Sequence, residues 1–358
     1  MQGLELSLSV CVALTACGST QRSELDPAGG TPSGADDDAA DDTKSTGNDS
    51  GSGTGERQDS VGDGTEDHGE DPSEDNGEDG STLALDVGST PDPDGGASCG
   101  CEDVDDGIYV LGEAGDLWFY DPPTNAFSIR GAHGCDAGLS APFSMSVSRR
   151  GNAWMDFIGF IPGPGGVSGT LHRAPVSAPG DCADSGYMPA PGFGMVGMAF
   201  ASAGELDNCD QLYMVTGDDG SGTGALARLD PGTLSTEIVG ALDIGMAELS
   251  GTGDGRLFAF AAPSSGGIAS LHQLDKETAA IIETVPLVGL SLTQAFAFGF
   301  WGGDFYFFTE SSTGSSSRVT RLDYDGSDGG GLIPMSGLAP IRIVGAGVST
   351  CASLTPEG

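Results

Sequence analysis

Basic residues are scarce in this chain: 13 Lys and Arg stand against 53 Asp and Glu, for a formal net charge of −40. A surface that acidic repels phosphate backbones and anionic headgroups, which excludes nucleic acid as a partner. Histidine occurs four times, as His68, His133, His172 and His272. There is no Gly-x-Ser-x-Gly elbow, no Gly-rich phosphate loop and no basic stretch interleaved with aromatics. Those absences remove the serine-hydrolase, nucleotide-cradling and RNA-stacking signatures. Ser140 and Ser144 lie near His133 without any supporting pattern, and no catalytic set can be named. The apolar N-terminal run, Leu4 to Leu14, falls short of the about 20 residues that a membrane-spanning helix needs.

What is present divides into three parts. Residues 1–17 are a short apolar leader, 18–98 are rich in Gly, Ser, Asp and Glu, and 99–358 carry the aromatics. Only the third part has the alternating apolar pattern needed to bury a core, and its length suits one large β domain. About half of the acidic excess lies in the middle part. That segment cannot bury enough surface to offset its ordering entropy, so it is predicted to be a disordered acidic tether with an r.m.s. span of roughly 50 Å.

The leader closes on Leu14-Thr15-Ala16-Cys17. This resembles the lipobox of bacterial lipoproteins, which implies a removed signal peptide, lipidation of Cys17 and export. Gly18 and Ser19 follow, with no Asp, which resembles the class sent to the outer membrane. The expected address is therefore the outer membrane or cell surface, with the membrane as partner through the lipid.

The third part repeats. A small-residue turn, an apolar residue and an aromatic recur at Asp106–Tyr109, Gly151–Trp154, Asp210–Tyr213, Gly255–Phe258 and Gly303–Tyr306. In the last three copies the aromatic precedes a Leu-Asp pair by a constant interval: 213 to 230, 258 to 275, 306 to 323. Repeats of this length, made of strands and turns, mark a radial β-propeller. Four-stranded units fit 142–192, 194–243, 247–290 and 295–335. The remainder is split, with three strands in 106–130 and the innermost supplied by 341–349, so that the last strand closes the ring. The fold class is thus all-β, a five-bladed propeller, or one of four or six blades if the irregular second unit is misread. A β-sandwich is the structural rival, and the constant interval argues against it. The stretch Phe305–Glu310 followed by Leu322–Ser327 resembles the tyrosine-tryptophan-threonine-aspartate type of propeller repeat.

In an exported domain, Cys99, Cys101, Cys135, Cys182, Cys209 and Cys351 are candidates for disulfides. Either Cys99 or Cys101 is expected to pair with Cys351 and lock the ring. Cys182 is expected to join Cys209, and Cys135 the remaining N-terminal cysteine. Zinc on Cys99-Gly100-Cys101 is the other reading, and it lacks a second ligand pair. Asp323, Asp325, Ser327 and Asp328 place oxygens as calcium loops do, although Asp328 stands where an EF-hand has glycine; the plain alternative is an Asp/Gly-rich hairpin turn. Beyond calcium there no cofactor is expected. Trp301, set beside Gly302-Gly303, is the candidate exposed ring for stacking a sugar, while Trp118 and Trp154 are read as packing.

Three functions follow: a surface module that binds or scaffolds a protein or glycan, a carbohydrate-active hydrolase with carboxylates in the propeller tunnel, or a structural surface protein. Carboxylates converging at the tunnel mouth beside exposed aromatics would favour the hydrolase.

Overall fold

The computed structural model describes residues 100–101 and 104–355, apart from 161–166, 205–206, 217–223, 262–266, 291, 293 and 313. The leader, the tether, the lipid site Cys17 and the cysteine Cys99 lie outside the described residues.

Every regular element among the described residues is a strand. The chain begins with β1 (Ile108–Gly112), β2 (Asp116–Asp121) and β3 (Ala126–Ala132). Next come β4 (Ala141–Val147), β5 (Asn152–Phe160), β6 (Val167–Pro175) and β7 (Ala183–Asp184). They are followed by β8 (Val196–Gly204), β9 (Asp207–Thr216), β10 (Gly224–Leu229) and β11 (Thr236–Leu242). Then come β12 (Ala247–Gly251), β13 (Leu257–Ala261), β14 (Ser270–Leu274) and β15 (Ile281–Pro286). The last are β16 (Phe296–Trp301), β17 (Asp304–Glu310), β18 (Ser317–Asp323), β19 (Gly331–Pro334) and β20 (Ile343–Gly347).

These strands make five antiparallel four-stranded sheets, and the sheet that begins with β1 takes β20 as its innermost strand. Gly347 pairs with Tyr109 and Ala346 with Val110, so the C-terminal strand closes the ring on the first blade. The chain is a five-bladed β-propeller. Its inner strands meet in the cyclic order β20, β4, β8, β12, β16 and back to β20. Four or six blades are thereby excluded.

The apolar pattern explains the ring. There are five buried clusters, and each lies between two neighbouring blades rather than within one. Phe258, Phe260 and Leu271 of the fourth blade pack on Phe298, Phe305 and Phe307 of the fifth. Tyr120 and Ile343 of the first pack on Tyr306 and Phe308 of the fifth. A single blade therefore cannot bury its faces alone, and closure is what completes the core. The five repeated aromatics (Tyr109, Trp154, Tyr213, Phe258 and Tyr306) are all buried in these seams. Ring contacts such as Phe258–Phe305, with centroids 4.7 Å apart at 69°, add edge-to-face attraction to the burial.

Two glycines let the inner strands approach closely. A Cβ on Gly345 would lie 2.9 Å from the backbone nitrogen of Met145, and one on Gly251 would collide with the carbonyl oxygen of Phe200. The Leu-Asp repeat also has a local cause. The Asp275 carboxylate accepts from the backbone N–H of Glu277 and Thr278, both at 2.9 Å, and Asp230 does the same for Gly232 and Thr233. The side chain fixes the turn that sends the outer strand back.

Cys101 bonds to Cys351, which ties the segment before β1 to the segment after β20. The other pairing differs from the sequence expectation: Cys182 bonds to Cys135 and not to Cys209, and Cys135 does not join an N-terminal cysteine. The linker after β3 crosses the approach to β7, where the N–H of Gly134 donates to the Pro179 carbonyl at 3.0 Å. That crossing sets the two Cα atoms 4.8 Å apart.

Candidate functional site

The propeller axis gathers polar side chains inside an apolar ring. Ser144 on β4, Asp156 on β5 and Glu248 on β12 are all buried, at 0%, 1% and 5% exposure. The Ser144 hydroxyl donates to Glu248 Oε2 at 2.7 Å, across the axis from one inner strand to a non-neighbouring one. Asp156 pairs in register with Ser144 and accepts from the backbone N–H of Val196 at 3.2 Å. Burial pushes the Asp156 carboxyl up to about 8, and the Val196 N–H only partly offsets it. Burial likewise holds the Glu248 carboxyl well above the usual carboxylate range; the Ser144 bond opposes this and the charge of Asp156 adds to it. Burial thus favours the protonated form of both carboxyls.

Two further axial hydroxyls are structural pins. Ser146 accepts from the N–H of Phe200 at 2.8 Å, and Ser250 accepts from the N–H of Phe300 at 3.1 Å. Each joins one inner strand to the next. Between Ser146, Met198, Leu249, Ser250 and Gly347 the inner strands leave no space wide enough for a water molecule, so the axis is packed at that level.

Where the inner strands finish, a second buried polar group binds three blades. Arg149 follows β4, and its Nε donates to Asp210 Oδ1 at 2.8 Å, with the two side chains 9% and 6% exposed. Its guanidinium also donates to Ser202 and Thr350, each at 3.0 Å, and Thr350 donates to Asp210 at 2.6 Å. Thr350 precedes Cys351, so this cluster and the Cys101–Cys351 bond fasten the same closing segment.

The calcium candidates divide. Asp323 and Asp325 come together with Asp304, the three offering carboxylate oxygens within 4.8 Å of one another. Asp304 went unread in the sequence because it lies on the preceding strand, β17. The oxygens are largely used: Asp323 accepts from the N–H of Asp328 at 3.0 Å, Asp325 from that of Ser327 at 2.8 Å, and Asp304 from that of Tyr324 at 2.9 Å. The Ser327 hydroxyl reaches Asp323 at 3.5 Å. Asp328 turns away to an ion pair with Arg321. Burial raises the Asp304 carboxyl, while the Ser327 hydrogen bonds lower that of Asp325.

Trp301 is not an exposed stacking ring. It is 6% exposed, and its indole N–H donates to Asp106 at 2.8 Å. The C-terminal segment covers it: Gly302 donates its N–H to the Ser353 carbonyl, and Ser353 donates its own to Asp106. Trp154 is fully buried and Trp118 partly so. Among the described residues the large exposed apolar side chains are aliphatic or Met, including Ile129, Ile238, Ile281 and Ile282 on outer strands. His172 and His272 occupy the matching third strands, opposite Met155 and Ala259, and burial lowers both.

No protein-family model matches the sequence, and neither does any curated protein. Solved structures similar to the chain are propellers. TolB from Acinetobacter baumannii is 15% identical over 65% of this chain with a TM-score of 0.37, and the match spans about half (51%) of that protein's length. A nidogen/laminin complex is 12% identical over 67% of this chain and 98% of the other, with a TM-score of 0.41. A GH43_1 enzyme from Xanthomonas citri, complexed with xylotriose, is 10% identical over 58% and 76%, with a TM-score of 0.40.

Proposed function

We propose that this chain is an exported propeller, held through a lipid on Cys17 at the outer membrane or cell surface, that binds a protein or glycan over one face and scaffolds it there. The observation that carries this reading is the packed axis. Its polar groups are committed to each other and to backbone N–H groups, and Ser144, Asp156 and Glu248 are all buried. The surface left to a ligand is the two faces and the rim. The test uses the full-length chain. Thermal unfolding against polysaccharides and cell-wall fragments, with pull-down from intact cells, should yield one ligand class that raises the midpoint, because a ligand of the native state alone must do so. Flat traces with no captured partner would leave a structural surface role. Lipidation is tested separately, by fatty-acid labelling that Cys17→Ser abolishes.

A carbohydrate-active hydrolase is the second reading, and one observation favours it. A carboxyl whose protonated form burial favours is what a general acid requires, and burial raises both Asp156 and Glu248. Against it stand the closed axis and the lack, among the described residues, of an exposed aromatic beside it. Calcium on Asp304, Asp323 and Asp325 is the cofactor that goes with either reading; added calcium would then raise the midpoint and a chelator reverse it.

A further inference from the structure

The Cys135–Cys182 bond lies beside a buried imidazole. Cys135 follows β3, Cys182 immediately precedes β7, and His172 sits in β6 opposite Asp184. Each of the three residues offers one donor atom within 4.8 Å of the others. His172 is 3% exposed, yet its Nδ1 is buried without a hydrogen-bond partner. A buried polar atom left unpaired is costly and calls for a physical reason. The ring is held in place, with Phe157 packed edge-on at 5.0 Å. His133 takes no part as a donor through Nδ1, because that atom already accepts from the Cys135 N–H at 3.2 Å.

We propose that Cys135, Cys182 and His172 form a redox-gated site for a zinc-like divalent cation, closed while the cysteines are bonded and open once they are reduced. Two thiolates and one imidazole are the donor set that borderline-soft metals prefer, leaving one tetrahedral position for water. The Cα separation of 4.8 Å suits two sulfurs on one ion, each about 2.3 Å from it. The chemistry balances. A dithiol reductant gives two electrons and two protons to the sulfur–sulfur bond, which breaks to two thiols while the reductant becomes a disulfide. The cation then displaces both thiol protons to solvent, so that its two charges meet two thiolates. The charges of Asp184 and Asp136 lie near enough to favour a cation. A disulfide oxidant would take two electrons from the two thiolates, itself becoming two thiols with protons from solvent, so that the sulfur–sulfur bond re-forms and the ion is released.

Cobalt titration of the full-length chain tests this. After reduction by a phosphine and anaerobic desalting, one equivalent of Co²⁺ should give tetrahedral visible bands with a thiolate charge-transfer band, and Zn²⁺ should displace it. The oxidised chain should give neither. His172→Ala should weaken cobalt binding by roughly tenfold or more, and Cys182→Ser should weaken the charge-transfer band. A Cys101→Ser/Cys351→Ser variant should keep both signals, which separates this pair from the clasp. Circular dichroism on the same samples reads the fold. Reduced, folded protein without the bands would overturn the proposal. So would bands indifferent to His172→Ala, or loss of the strand signal on reduction alone, since the site needs its strands in place.

Discussion

Ser144 and Glu248 belong to inner strands that are not neighbours in the ring, yet their side chains meet across the propeller axis at 2.7 Å. The bond is a strut through the middle of the ring. It holds a carboxyl that is only 5% exposed, and the serine hydroxyl is the partner that makes its burial tolerable. Ser144→Ala should leave Glu248 with an unmet acceptor and destabilise the chain by about 1–3 kcal/mol in urea unfolding. Glu248→Gln keeps an acceptor for Ser144 in a side chain that cannot ionise, and should unfold no earlier than the native chain.

Asp156 sets the sign of the pH dependence. Its carboxyl is raised in the folded state from 3.8 to about 8, so the folded chain holds a proton that the unfolded chain has released. Its contribution is fully present below about 4 and is lost as pH rises toward about 8. Asp156→Asn, which keeps the acceptor for the Val196 N–H, should flatten that slope and stabilise the chain at pH 8. Chemical unfolding at several pH values measures both effects. A midpoint indifferent to the substitution at pH 8 would contradict the assignment.

The Arg149–Asp210 pair predicts a large loss. Both side chains are buried, and Arg149 also holds Ser202 and Thr350. Arg149→Ala strands a buried carboxylate, and should cost about 3–5 kcal/mol. The more exposed pair Arg228–Glu277, with side chains 26% and 69% exposed, should lose less than Arg149–Asp210 on the same substitution, which gives an internal control.

The Cys101–Cys351 bond closes a loop with a sequence separation of 250. Constraining so long a loop removes on the order of 5 kcal/mol of unfolded-state entropy in the chain model, which makes Cys351→Ser strongly destabilising. Differential scanning calorimetry should show a lower midpoint with the same transition shape.

The architecture was legible because most blades spend the same residues on the same tasks. An aromatic enters the seam, and an Asp fixes the following turn, as Phe258 and Asp275 do. A first-blade copy of that turn, Asp121-Pro122-Pro123-Thr124, carries the same Asp-x-x-Thr spacing and went unread. The axial carboxyls also left a mark: Asp156 interrupts Trp154-Met155 and Phe157-Ile158, and Glu248 interrupts Ala247 and Leu249. A lone acid inside an apolar strand marks a position facing other strands. Trp301 could not be read locally, because its hydrogen-bond partner Asp106 lies 195 positions away. The same holds for Cys135 and Cys182, whose approach depends on how the linker at Gly134 crosses Pro179.

The most direct measurement is reducing-end release from a polysaccharide panel by the full-length chain, alongside binding to the same panel, for the native sequence and Glu248→Gln. A packed axis predicts no turnover by either protein and identical binding by both. Turnover that falls a hundredfold or more in Glu248→Gln would contradict it, and would make the axial carboxyls a catalytic site.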